Sequence, residues 1–172
     1  MVANGSNSYN TGVLGRGENG RMANNVKPIP DGFHAVTPYL VVPGIPRLME
    51  FIKEAFGGVE LHRSARPDGT VMHALMRIAD SMVMMGEPQG ESTPRPTTIM
   101  LYVTDTDATY RSAIQAGGKS LREPADQFYG DRTGGVEDPC GNQWWIGTHV
   151  EDVSDEEMAR RMKAMENQPA QS

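Results

Sequence analysis

Apolar residues fall in short alternating runs interrupted by two stretches of helical spacing. AVTPYLVV (35–42) reads as a strand that Pro43-Gly44 ends. Ile45, Leu48, Met49, Ile52, Ala55 and Phe56 then recur along one helix face as far as a stop at Gly57-Gly58. VELHRSAR (59–66), VMHALMRI (71–78) and SMVMMG (81–86) read as strands, divided by the turn residues Pro67-Asp68-Gly69 and Ala79-Asp80. A polar, proline-rich linker follows over 87–96. The order then recurs. TTIMLYV (97–103) is a strand, Thr104-Asp105 opens a helix over 106–116, and Gly117-Gly118 stops it. Residues 119–139 hold one or two strands broken by Gly and Pro, and NQWWIGTHV (142–150) is the last strand. The pattern is β-α-β-β-β written twice, an α+β chain.

Sliding the sequence by 61 residues supports a duplication. It superposes Thr37 on Thr98, Leu40 on Leu101, Val42 on Val103, Ala55 on Ala116 and Gly57 on Gly118. Each pair falls at the same point of the same element, and a repeated glycine at a helix stop fits the left-handed position that glycine takes at little cost. Residues 31–150 therefore read as a paired domain, with module one at 34–90 and module two at 96–150. Residues 1–30 are rich in Gly, Asn and Ser and cannot bury enough surface to offset ordering, so a disordered extension is expected, with Met22 as a second translation start. Residues 151–172 form a C-terminal helix and tail. Ser154 and Glu157 fit a capping box, and Met158, Met162 and Met165 share one helix face, to be docked on the chain's own sheet or on a partner subunit.

Composition narrows the function. The 172 residues carry a net charge of −6, which argues against general nucleic-acid binding. No apolar run is long enough to span a membrane as a helix. Cys140 is the one cysteine, so no internal disulfide forms. The N-terminus lacks an apolar stretch of the kind that directs secretion, and the expected location is cytoplasmic.

Three segments, VTPYLVV (36–42), HALMRIADS (73–81) and DQFYGDRTGGVEDPCGNQWWIGTHVEDVS (126–154), resemble the vicinal-oxygen-chelate superfamily, the glyoxalase, bleomycin-resistance and extradiol-dioxygenase group, and within it the PhnB-like branch. The resemblance covers roughly residues 28–165. It implies two tandem βαβββ modules forming half-barrel sheets around a cavity, and it implies a homodimer. It also aligns the family's four metal-ligand positions with Thr37, Met84, Thr98 and Trp145. Hydroxyls, a thioether and an indole N–H are poor ligands for zinc, nickel or iron. The expectation is no metal and no cofactor, with a divalent metal as the alternative.

Candidate chemistry lies elsewhere. Alternation along VMHALMRI sets His73, Leu75 and Arg77 on one face and Met72, Ala74 and Met76 on the other, so His73 either lines a cavity as a catalyst or is a hydrogen-bonded structural residue. His149 closes the last strand and reads the same two ways, while His34 and His62 read as exposed. The run from Asp126 to Arg132 is the densest polar-aromatic cluster. Arg132 could grip a carboxylate or phosphate, Tyr129 could donate to a ligand oxygen, and Asp126 or Asp131 could act as a general base. The alternative is a strand–turn–strand whose Asp131 and Arg132 pair with each other. In Glu137-Asp138-Pro139-Cys140-Gly141-Asn142, Asp138 is expected to satisfy backbone N–H groups and Gly141 to take positive φ. Tyr39, Tyr102, Phe128, Tyr129 and Trp145 complete the candidate ligand-binding set; Trp144 and Trp145 cannot both line one cavity, because successive strand residues face opposite sides. Three functions fit: a metal-independent small-molecule binder, an enzyme of lyase, isomerase or dioxygenase type using His73 or Asp131, and a structural dimer without a ligand.

Overall fold

The computed structural model describes residues 27–166; the N-terminal extension before Lys27, Met22 included, and the last six residues lie outside them. The elements run β1 (Tyr39–Val41), α1 (Ile45–Phe56), β2 (Val59–Ala65), β3 (Val71–Ile78), β4 (Ser81–Gly86), β5 (Thr98–Tyr102), α2 (Thr106–Gln115), β6 (Lys119–Asp126), β7 (Asp131–Glu137), β8 (Gln143–His149) and α3 (Asp155–Glu166). They form two four-stranded sheets ordered β1-β4-β3-β2 and β5-β8-β7-β6. In each, the first strand runs parallel to the fourth and the other pairs are antiparallel.

The duplication is visible in the register. Tyr39 pairs with Met84, Leu40 with Met85 and Val41 with Gly86. Each number raised by 61 gives the pairs of the second sheet: Met100 with Trp145, Leu101 with Ile146 and Tyr102 with Gly147. Both second strands also carry a bulge at the same place, Leu61 in β2 and Leu121 in β6. One residue has been lost in between. The left-handed glycine that closes α1 is Gly57, but the one that closes α2 is Gly117, not Gly118. The cause is a tighter last turn in α2, where the Gly117 N–H donates to Ile114 O instead of reaching one residue further back.

The first strand is shorter than its apolar run suggests. Pro38 and Pro43 flank it, and a proline can extend no ladder on its N–H side. The polar-aromatic run at 126–132 is the end of a hairpin: β6 and β7 are two strands joined at Gln127–Gly130, with Gly130 at φ 96°. Asp105 caps α2 by accepting from the Ala108 N–H at 2.9 Å. At α3 only half of the capping box forms. Ser154 Oγ accepts from Glu157 N, but the Glu157 carboxylate turns to Arg160 and Arg161.

Each sheet has one face in a shared apolar core. Ile45, Leu48, Met49, Ile52 and Ala55 of α1 meet Ala74, Met76, Ile78, Val83 and Met85 of the first sheet. Val136, Trp144 and Ile146 bring in the second, and the rings of Phe56 and Trp144 lie 4.8 Å apart. Fully burying such a side chain stabilises by about 1.5–3 kcal/mol. The two helices pack on each other within this core. The faces that the resemblance assigns to a cavity are therefore the outer ones, and they are open: Tyr39, Met100 and Tyr102 are exposed. The methionine face of α3 does not dock on its own sheets. Met162 and Met165 stay exposed, and α3 is held instead by Arg161, which donates to Glu151 and to Phe128 O.

Candidate functional site

Paired residues in neighbouring strands point the same way, so the register lists what each open face offers. On the first sheet these are His62 beside Leu75 and Met84, and His73 near Gly86. A Cβ at Gly86 would lie 3.0 Å from the Tyr39 hydroxyl; its absence lets the phenol lie over the strand and meet His73 Nδ1 at 3.2 Å. The His62 and His73 rings stand 6.1 Å apart.

The second sheet carries the richer face. From one end, its rows are Lys119, Glu137, Gln143 and Thr98; then Arg122, Gly135, Trp145 and Met100; then Ala125, Thr133, Gly147 and Tyr102; then Asp131 and His149. Two glycines form its floor. A Cβ at Gly135 would lie 2.9 Å from the Trp145 ring, so the indole lies flat across β7. A Cβ at Gly147 would collide with the end of Met100, so Met100 and Tyr102 lean across β8. Arg122 stacks over Trp145 with its guanidinium carbon 4.6 Å from the ring centroid, and it donates to Thr133 Oγ1.

At the far end Tyr102 donates to Asp131 Oδ2 at 2.8 Å, while Asp131 Oδ1 faces His149 Nδ1 at 2.7 Å. Asp131 is 5% exposed. His149 Nε2 in turn faces Asp152 at 3.0 Å. With a carboxylate oxygen at each ring nitrogen, both nitrogens must carry hydrogen, so the imidazolium is the favoured form. The Asp152 bond first and the Asp131 bond second hold the His149 pKa above its ordinary value. The same Asp131 raises that of Tyr102. For His149 the raised folded-state pKa contributes stability in full below about pH 6.5, which is lost as pH rises through the folded value. We expect the His149 NMR titration to have a midpoint above about 6.5, and Asp152→Asn to lower it; a wild-type midpoint at the unperturbed value would contradict the bridge.

The sequence-derived candidates separate. Tyr102, Trp145 and Asp131 share this face, whereas Tyr39 and His73 stand on the other module's. Phe128 and Tyr129 lie edge to face at 5.2 Å in the β6–β7 turn. Arg132 does not pair with Asp131. It points to the core side, where Asp107 of α2 takes two of its nitrogens and Asp126 a third. This clamp pulls the Asp107 carboxyl below the usual range. Arg132 thus fixes α2 to the sheet. His149 was legible only in part, and Asp152 and Arg122 were missed; for Arg122, the bulge at Leu121 reverses the alternation that would have assigned it a face.

Of the four aligned metal positions, Met84, Thr98 and Trp145 lie on the open faces, while the Thr37 hydroxyl donates to His34 O at 3.1 Å. Among the described residues no three His, Cys, Asp or Glu side chains are grouped to hold a metal ion. The donor set does not fit the family's ion. Burial, helped by Asp138, pushes the Cys140 thiol up to about 11, so it stays protonated at neutral pH. A cleft of about 470 Å³ lined by Phe56, Ile78, Leu101, Tyr102, Val103 and Thr109 offers Tyr102 alone as a titratable group. No helix among the described residues is long and apolar enough to cross a membrane.

Residues 32–146 match the Glyoxalase/Bleomycin resistance protein/Dioxygenase superfamily, and the chain belongs to it. It is 39% identical over 154 residues to an uncharacterized protein of Mycobacterium bovis, covering 83% of this chain and 97% of that one. An uncharacterized protein of Mycobacterium tuberculosis is equally similar, with 87% of its length covered. Among solved structures, a glyoxalase-related enzyme from Fulvimarina pelagi aligns with a TM-score of 0.58 at 17% identity, over 71% of this chain and 93% of that chain. TioX from Micromonospora sp. ML1 aligns with a TM-score of 0.55 at 21% identity, over 67% of this chain and 96% of its own. At these identities the structures speak for the fold alone.

Proposed function

We propose that the protein is a cytoplasmic small-molecule binder of the superfamily's PhnB-like branch, that it works without the usual metal, and that its ligand lies on the open face of the second module. The observation that carries this is the glycine floor. Gly135 and Gly147 leave room for Trp145, Met100 and Tyr102 to lie flat and half-open to solvent, which is how a planar apolar ligand is received. Two copies pair along the outer strands of their sheets, a reading supported by the exposed Val59 and Leu61 of β2 and Leu121 of β6. A second reading, acid–base catalysis, is favoured by the Tyr102–Asp131–His149 chain; there Asp131 would orient the phenol and the imidazole, since both of its oxygens are engaged.

The test is NMR titration with planar aromatic compounds. The Trp145 indole N–H resonance should shift and that of buried Trp144 should not; shifts confined to Tyr39 and His73 would reject the assignment of the face. Metal analysis of purified protein should give less than about 0.2 divalent ion per chain, and stoichiometric metal would overturn the metal-free reading.

A further inference from the structure

The second module's open face also selects the charge of its ligand, an inference that rests on the binding reading above. Arg63, Arg132, Arg160 and Arg161 are each clamped by a carboxylate. Arg122 meets none among the described residues. Its contacts are the Trp145 face and the Thr133 hydroxyl. A guanidinium has five N–H donors, and the hydroxyl uses one of them. Stacking on an indole fixes the plane of the group, so the remaining donors are held in one orientation and lose little entropy when they engage a planar acceptor. The seat is built from below as well. Trp145 can lie flat only because Gly135 has no Cβ, and Gly135 is the register partner of Arg122 itself.

The rest of the face carries little free negative charge to compete. Asp131 is taken up by Tyr102 and His149, about 13 Å along the strand from Gly135 at the usual rise per residue. Glu137 stands one row from Gly135, in register with Lys119, which carries the opposite charge. Between these ends lie one fixed cation and an apolar floor of Trp145, Met100 and Tyr102. We infer that Arg122, stacked on Trp145, binds the carboxylate of a planar aromatic acid whose ring lies over Met100 and Tyr102. A carboxylate offers two coplanar oxygens to two parallel N–H groups, the geometry that a stacked guanidinium presents.

The experiment is calorimetric titration of the full chain at neutral pH with 2-naphthoate, its neutral isostere 2-naphthamide and 2-naphthylmethylammonium. The naphthoate should bind about tenfold or more tighter than the amide, and the ammonium weakest. Arg122→Ala should erase the preference for the acid, and Arg122→Lys should restore only part of it. The unfolding midpoints of both variants should stay near wild type, because Arg122 is exposed. Equal binding of acid and amide to the wild type, or a preference that survives Arg122→Ala, overturns this inference and leaves the binding face standing. No binding of any of the three overturns both.

Discussion

Replacing Asp138 with alanine is expected to cost about 3–5 kcal/mol of folding stability, read as a lowered midpoint of chemical denaturation. The carboxylate is 3% exposed and accepts four hydrogen bonds. Oδ1 takes the backbone N–H groups of Cys140 at 2.8 Å and Asn142 at 3.0 Å. Oδ2 takes Asn142 Nδ2 and Trp144 Nε1, each at 2.8 Å. Asn142 and Trp144 are fully buried, so their donors have no water to turn to. Each buried donor left unmet costs about 1–3 kcal/mol. The damage would spread, since Asn142 Oδ1 accepts from Thr97 N and so ties the turn to the start of module two. Asp138→Asn should lose less, because one side-chain oxygen remains. A midpoint unchanged in Asp138→Ala would mean that the turn can relax to satisfy its own donors.

Gly130→Ala is expected to cost about 3 kcal/mol, by adding strain at positive φ to a clash with backbone. Gly130 has φ 96°, and a Cβ there would collide with the carbonyl oxygen of Glu151 and lie 2.9 Å from Val153 Cγ2. Its own carbonyl accepts from Val150 N and Glu151 N. The segment displaced would carry Asp152, which holds His149, and Glu151, which holds Arg161 of α3. Hydrogen exchange should therefore accelerate in α3 as well as in the hairpin. Exchange confined to the hairpin would show that α3 is anchored by other contacts.

Local chemistry was legible in the sequence and tertiary chemistry was not. Asp138 and Gly141 declared their turn because every partner lies within a few residues, and Gly141 does take φ 90°. The duplication was legible because Leu40 and Leu101, or Val42 and Val103, mark equivalent positions on the core side, buried in the first module and half-buried in the second. That Trp144 and Trp145 face opposite sides follows from alternation alone; that Trp144 is the inner one is set by the packing of the sheet. Arg132 was open to misreading because its main partner, Asp107, is 25 residues away on a helix. Its neighbour Asp131 points to the opposite side of the strand, so the local pair cannot form. The shift from Gly118 to Gly117 turned on how tightly one helix closes, which composition does not encode.

The shared register has a practical corollary for engineering. His62, Leu75, Met84 and Tyr39 occupy in the first sheet the places held by Arg122, Gly135, Trp145 and Met100 in the second. None of the eight belongs to the buried apolar cluster, although Gly135 is itself buried. Transplanting the second quartet onto the first half would give a chain that presents the proposed binding face twice.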